Sequence, residues 1–222
     1  MAANFAAGDG VKPLVIGLTG PIGSGKSHVL GTLVALGAEG IDADRVAHEV
    51  TVAPGDPAFA GGPAYAGIVA EFGASILGPN DAIDRGKLSA RVFGDADALA
   101  RLEAIVHPAV ADIIAARVAA SVAPVVVIEA IKLIESGLSR RLCDLVWVTV
   151  CPEEEQIARL AAGRGMSEAE TRRRLANQMP VAQMISHADC VIDTGGSLIE
   201  TEDKVRRAWH ALFRERKNDT NS

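Results

Sequence analysis

Long apolar runs are missing from this sequence: no stretch approaches the roughly 18 consecutive apolar residues a helix needs to cross a bilayer. The opening segment MAANFAAGDGVK has neither a basic start nor a sustained apolar core. Neither a membrane span nor a secretion signal is therefore expected. Residues 1–12 read as a flexible leader, and a reducing cytoplasm is the setting that Cys143, Cys151 and Cys190 fit. Aromatic residues are scarce, at 4%, although the hydrophobic fraction is 49% and is made largely of Ala, Val, Leu and Ile. That balance disfavours a β-sandwich and suits helices alternating with buried parallel strands. Positive charge is in deficit, with a net charge of −6. Binding to a nucleic-acid backbone needs clustered, uncompensated cations, so no nucleic-acid partner is expected. Cys143, Cys151 and Cys190 form no CxxC pair and lie in or beside apolar runs. They read as buried reduced thiols rather than as disulfides or zinc ligands.

At 222 residues the chain has room for one sizeable domain, or one domain with an insertion, whose core needs neither disulfide nor metal. Residues 14–18 are an apolar, β-branched run leading into TGPIGSGKS, and the HVLGTLVALG that follows has helical periodicity with a glycine stop. Residues 39–42 form a short second strand candidate that ends in DAD, which carries Asp42 and Asp44 toward the same rim as the loop. Residues 51–64 are rich in Gly, Pro and Ala, and helical patterns follow at 65–72, 85–93 and 95–120 with no strand among them. Residues 54–108 accordingly read as a helical insertion in a core of 13–53 and 109–217. Further buried-strand candidates at 125–128, 145–150 and 190–192 complete an α/β fold, a parallel sheet of about five strands flanked by helices. Pro152 opens a helix with Glu153, Glu154 and Glu155 in its first turn, where they suit the dipole. Residues 163–180 combine the glycine-flanked Arg164, a Ser-x-x-Glu capping box and an arginine-rich helix, the makings of a mobile lid. A closing amphipathic helix at 197–216 and a polar tail at 218–222 end the chain as given.

The segment Gly20-Pro21-Ile22-Gly23-Ser24-Gly25-Lys26-Ser27 satisfies G-x-x-x-x-G-K-[ST], and it lies after a strand and before a helix, as the motif requires. Its glycines let the backbone curl so that successive N–H groups point at phosphate oxygens, and the helix dipole favours the anion. Lys26 would reach the β- and γ-phosphates, and Ser27 would offer its hydroxyl to Mg²⁺. Residues 20–27, with His28 in the following turn, are the expected ATP site. Such loops serve kinases, GTPases and motor ATPases alike. The chain has no guanine-reading NKxD segment and no arginine-rich stripe, which leaves a compact phosphotransferase.

GLTGPIGSGKS, IDADRVAHEV, EFGASILGPNDAIDRGKLSARVF, LEAIVHP and ADCVID resemble the dephospho-CoA kinase family in order and spacing, over about residues 14–200. The resemblance implies a P-loop kinase that uses ATP and Mg²⁺ to phosphorylate the ribose 3′-hydroxyl of dephospho-CoA, giving CoA and ADP. It implies Asp44 as the catalytic base beside Asp42, acting more by orienting the hydroxyl than by abstraction. The competing reading has Asp44 capping the next helix while Asp42 touches Mg²⁺ through water. Glu129, at the end of VVVIE, resembles the acid that holds magnesium-bound water, and an ordinary strand-end glutamate is the alternative. The insertion would seat dephospho-CoA through Phe72, Arg85, Lys87, Leu88 and His107, with Arg85 and Lys87 toward its pyrophosphate. His107, preceding Pro108, could equally mark a bend or helix end. Arg164 could swing onto the transferred phosphoryl group, while Arg172, Arg173 and Arg174 could be a solvated helix face.

The sequence departs from the family pattern at several points. Ile131-Lys132-Leu133 stands where Pro-Leu-Leu is usual, and Gly163 aligns with the common lid arginine, leaving Arg164 one position later. Thr194 replaces a frequent Asn, and Met184 and Ile185 lie where a lysine or arginine is common. These changes leave open a kinase for another nucleotide or small alcohol. A regulatory paralogue that binds ATP without chemistry is opposed by Lys26, Asp42 and Asp44. A monomer or weak homo-oligomer is expected.

Overall fold

The computed structural model describes residues 12–56 and 61–219. Residues 1–11 of the expected leader and 220–222 of the expected tail lie outside them. In chain order the elements are β1 (Leu14–Thr19), α1 (Lys26–Ala35), β2 (Glu39–Asp42), α2 (Ala43–Glu49), α3 (Tyr65–Phe72), α4 (Arg85–Val92), α5 (Ala96–Ala120), β3 (Val125–Glu129), α6 (Leu133–Ser136), α7 (Leu138–Arg141), β4 (Leu145–Val150), α8 (Glu153–Arg164), α9 (Glu168–Ala176), α10 (Val181–Ser186), β5 (Cys190–Asp193) and α11 (Leu198–Asp219).

The strands form one parallel sheet in the order β2-β3-β1-β4-β5. β1 is central and buried along its whole length, as expected of a strand covered on both faces. β1 and β4 are each aligned by an aspartate that precedes the neighbouring strand. Val15 N–H donates to Asp144 Oδ2 at 2.8 Å, and Val146 N–H donates to Asp189 Oδ2 at 2.7 Å. Each aspartate thus occupies a backbone donor that the slanted parallel ladder leaves at the strand's start. On one face Ile16, Leu18, Val125 and Val127 pack with Val29 and Leu33 of α1 and with Val205 and Trp209 of α11. Full burial of each such side chain contributes about 1.5–3 kcal/mol. Trp209 and Phe213 meet edge to face, 4.9 Å apart. α11 continues to Asp219, so residues 218 and 219 of the expected tail are helical; no Gly or Pro interrupts its second half.

Asp42–Arg117 forms a second compact unit. It begins before residue 54 and extends beyond Pro108, because α5 is one helix of 25 residues with Pro108 in its interior. Proline removes the bond to the Ala104 carbonyl, yet Val110 and Ile114 beyond it are buried, and their packing sustains the helix. Glu49 on α2 is buried at 8% exposure, and Arg45, at 3.4 Å, and Arg117 of α5 both pair with it. Both guanidiniums are partly exposed, so Glu49→Gln is expected to destabilise this unit by about 1–2 kcal/mol. A lower urea midpoint at constant slope would register it, and an unchanged midpoint would show the pair to be inert.

Candidate active site

β1 delivers the chain to the carboxyl edge of the sheet, and the loop turns there under tight steric limits. At Gly20, with φ 148°, a Cβ would lie 2.4 Å from both the carbonyl oxygen and Oγ1 of Thr149. At Gly23, with φ 78°, it would press on the Gln156 backbone at 3.0 Å. Only glycine suits either place. The loop is tied from outside at several points. Ser24 Oγ and Thr149 Oγ1 share a buried hydrogen bond of 2.6 Å, and Ile22 N–H donates to Gln178 Oε1 at 3.0 Å. The Ile22 side chain is buried among Leu160 of α8, Met166 and Leu175 of α9. The segment read as a lid is thus packed on the loop. Lys26 is buried at 7% exposure, and its Nζ donates to the carbonyls of Gly20 and Pro21 at 2.9 and 3.1 Å. Its ammonium therefore lies inside the curl of the loop.

Register places the acidic partner. Leu18 of β1 aligns with Glu129 of β3, two residues before Gly20. Ser27 Oγ donates to Glu129 Oε1 at 3.2 Å, and Thr19 Oγ1 donates to the Ile131 carbonyl at 3.1 Å. Ser27 and Glu129 together offer two hard oxygen ligands at the loop. No group of three or more His, Cys, Asp or Glu side chains suited to a metal occurs among the described residues. That donor set fits Mg²⁺, which keeps several waters and takes one or two protein oxygens alongside phosphate oxygens.

β2 ends at Asp42, which caps α2 by accepting from Arg45 N–H at 3.0 Å. The cap is Asp42 rather than Asp44, because Asp42 has the extended backbone of a cap while Asp44 lies in the first helical turn.

Within the second unit, a cavity of about 560 Å³ is lined by His48, Thr51, Val52, Ile83, Arg85 and Leu88, among others. Arg85 Nη2 hydrogen-bonds His48 Nδ1. Of the expected acceptor residues, Arg85 and Leu88 reach this cavity. Phe72 is buried at the end of α3, and Lys87 Nζ is engaged by the Leu77 carbonyl at 2.6 Å. His107 lies half-buried within α5.

A family model described as dephospho-CoA kinase matches residues 14–200. The chain belongs to the dephospho-CoA kinase family. A dephospho-CoA kinase of Geobacter metallireducens is 46% identical over 199 residues, which is 88% of this chain and 95% of that protein. The crystal structure of TT1252 from Thermus thermophilus superposes with a TM-score of 0.76 at 31% identity, covering 92% of this chain and 98% of that one. A dephospho-CoA kinase from Campylobacter jejuni, at 22% identity, shares the fold with a TM-score of 0.64, covering 91% of this chain and 98% of that one.

Against this dephospho-CoA kinase frame the departures acquire physical settings. Met184 is buried at 1% exposure and leaves no solvent for a cation, while Ile185 is exposed. Gly163 has open space around it, and Arg164 stands exposed in the last turn of α8, where the helix dipole favours a cation. Lys132 precedes α6, at the end of the loop segment held by Thr19. Arg172 pairs with Glu153 and Glu168, and Arg174 with Glu170, so these two are tied to neighbouring helix carboxylates. Ser167 caps α9 by accepting from Glu170 N–H at 3.2 Å; this is half of the expected capping box, since the Glu170 carboxylate takes Arg174.

Sequence reasoning missed Thr149, Gln178, Arg159 and His48. The first three act from far along the chain, and no local pattern marks them. His48 follows Asp44 by one helical turn within IDADRVAHEV, a spacing that could have singled it out. The cysteines are reduced thiols. Burial pushes the Cys143 thiol up to about 12, and burial also raises Cys151 and Cys190.

Proposed function

We propose that this chain transfers the terminal phosphoryl group of ATP to the ribose 3′-hydroxyl of dephospho-CoA, giving CoA and ADP. The observation that carries this reading is the intact loop, with the Lys26 ammonium inside its curl and Ser27 hydrogen-bonded to Glu129, in a chain matched to the family over residues 14–200. The loop N–H groups and the dipole of α1 bind the phosphates. Lys26 exchanges its carbonyl partners for phosphate oxygens and offsets the charge on the transferred group. Ser27 and Glu129 would hold Mg²⁺, which would supply positive charge to offset that of the phosphates.

Asp44 orients the attacking hydroxyl and accepts its proton late in the transfer, and Asp42 fixes the helix that carries it. In a loose transition state positioning and charge account for most of the acceleration, so a modestly basic carboxylate suffices. The cavity of the second unit supplies apolar walls and the cationic Arg85, chemistry that matches an acceptor with an aliphatic arm and a pyrophosphate. Arg164 closes onto the phosphoryl group. ATP and dephospho-CoA are then the small-molecule partners, and the chain works as a monomer or weak homo-oligomer. No helix among the described residues is long and apolar enough to cross a membrane.

The test is acceptor-dependent ADP release by the purified protein across a panel of dephospho-CoA, other nucleotides and small alcohols. ADP formed only with dephospho-CoA is the expected result. ADP released equally without any acceptor, or only with a different one, would overturn the proposal.

A further inference from the structure

Thr194, just after β5, is 2% exposed, and its polar atoms connect three separate elements. Its N–H donates to the Val150 carbonyl at 2.8 Å and so closes the sheet edge. Its Oγ1 lies 2.8 Å from the carbonyl of Ser24 in the phosphate loop and 3.2 Å from that of Val150. A hydroxyl has one proton, and the shorter contact to Ser24 takes it. The oxygen's lone pair then accepts from Arg159 Nη1 of α8 at 3.2 Å. Arg159 Nη2 donates to the Thr194 carbonyl at 2.6 Å and to Glu155 Oε2 at 2.8 Å. The guanidinium is thus held at its fork by a hydroxyl, a carbonyl and a carboxylate, the arrangement that fixes a planar cation in one orientation.

The clamp also stands beside the loop at Gly25. A Cβ on Gly25 would lie 3.4 Å from Thr194 Oγ1 and 3.5 Å from Arg159 Nη1. Gly25 has φ 81°, occupies the N-cap position of α1 and immediately precedes Lys26. A loop built on positive-φ glycines has much conformational freedom to lose, so ties from outside decide how well it is formed before nucleotide arrives. Ser24 and Thr149, or Ile22 and Gln178, tie the loop to neutral groups. Thr194 ties it to a cation.

We infer that Thr194 is a positioning residue of the nucleotide site: its hydroxyl couples the Ser24 carbonyl to Arg159 and holds loop and guanidinium in one arrangement. The inference rests on the reading that the loop binds a nucleoside triphosphate and is independent of the acceptor. Its test therefore measures ATP and ADP affinity by calorimetry with no acceptor present, together with melting temperature, for T194V, T194S, R159A and the T194V/R159A double variant.

Valine keeps the volume and removes the hydroxyl. T194V is expected to weaken ADP and ATP binding about tenfold, because a buried hydrogen bond to a charged group is lost. T194S should return affinity to within about twofold of the parent, since it restores the hydroxyl. In the R159A background the same valine should cost less than about threefold, the non-additivity expected of two groups in one network. Parent-like ADP affinity in T194V would overturn the inference. So would a full tenfold cost in the R159A background, or T194S binding as poorly as T194V. If T194V melts too low to be measured, the comparison of T194S with R159A decides: T194S near the parent supports the hydroxyl's role, and T194S as weak as R159A refutes it. Failure of the dephospho-CoA assignment would leave all these affinities unchanged.

Discussion

Lys26→Ala is expected to abolish turnover, with kcat/KM falling by about 10³ or more. The ammonium is buried at 7% exposure and donates to two carbonyls of its own loop, Gly20 and Pro21. It is therefore fixed where the phosphates enter, and little reorganisation accompanies its transfer from carbonyl to phosphate oxygen. Alanine leaves the loop N–H groups in place, so some nucleotide binding persists, while the charge developing on the transferred group loses its nearest offset. Arginine should not rescue, because its planar, broader head does not fit a space shaped by Gly20 and Pro21. Initial-rate kinetics of the alanine and arginine variants, with circular dichroism to confirm folding, check this. Alanine turnover above a tenth of the parent's would remove Lys26 from the mechanism.

Asp44→Asn should retain ADP affinity and lower kcat by about 10² or more. The amide is nearly isosteric with the carboxylate and cannot accept the proton of the attacking hydroxyl. Asp42 provides the contrast. Its side chain is the N-cap of α2, so Asp42→Ala should cost about 1 kcal/mol of stability. The two readings of the DAD segment open at the level of sequence divide on this pair. A large fall in kcat for Asp44→Asn with unchanged ADP affinity assigns the chemistry to Asp44, and an unchanged kcat refutes it.

The phosphate loop and its setting are legible in the sequence because their signals are contiguous. The loop motif needs a strand before it and a helix after it, and the hydrophobic runs at 14–18 and 29–34 declare both within a few residues. Glu129 could be singled out because it ends a buried run, but its bond to Ser27 depends on the alignment of β3 with β1, a matter of sheet order. The order β2-β3-β1-β4-β5 is invisible in periodicity, since each strand reads as the same apolar stretch whichever neighbours it takes. Pro108 lies inside the helical pattern at 95–120, and the structure keeps one helix through it, with Val110 and Ile114 buried beyond. That Asp42 rather than Asp44 caps α2 turned on backbone angles two residues apart, below the resolution of any pattern.

Alternating apolar runs, helix punctuation and the glycine-lysine-serine loop were thus enough for the α/β class, the extents of most elements and the phosphate-binding chemistry. Each is a property of a few neighbouring residues and their backbone. The supports of that loop were decided by tertiary structure alone. Gln178 reaches Ile22 across 156 positions and Thr194 reaches Ser24 across 170, and such bonds exist only once parallel strands have brought their carboxyl ends to one edge.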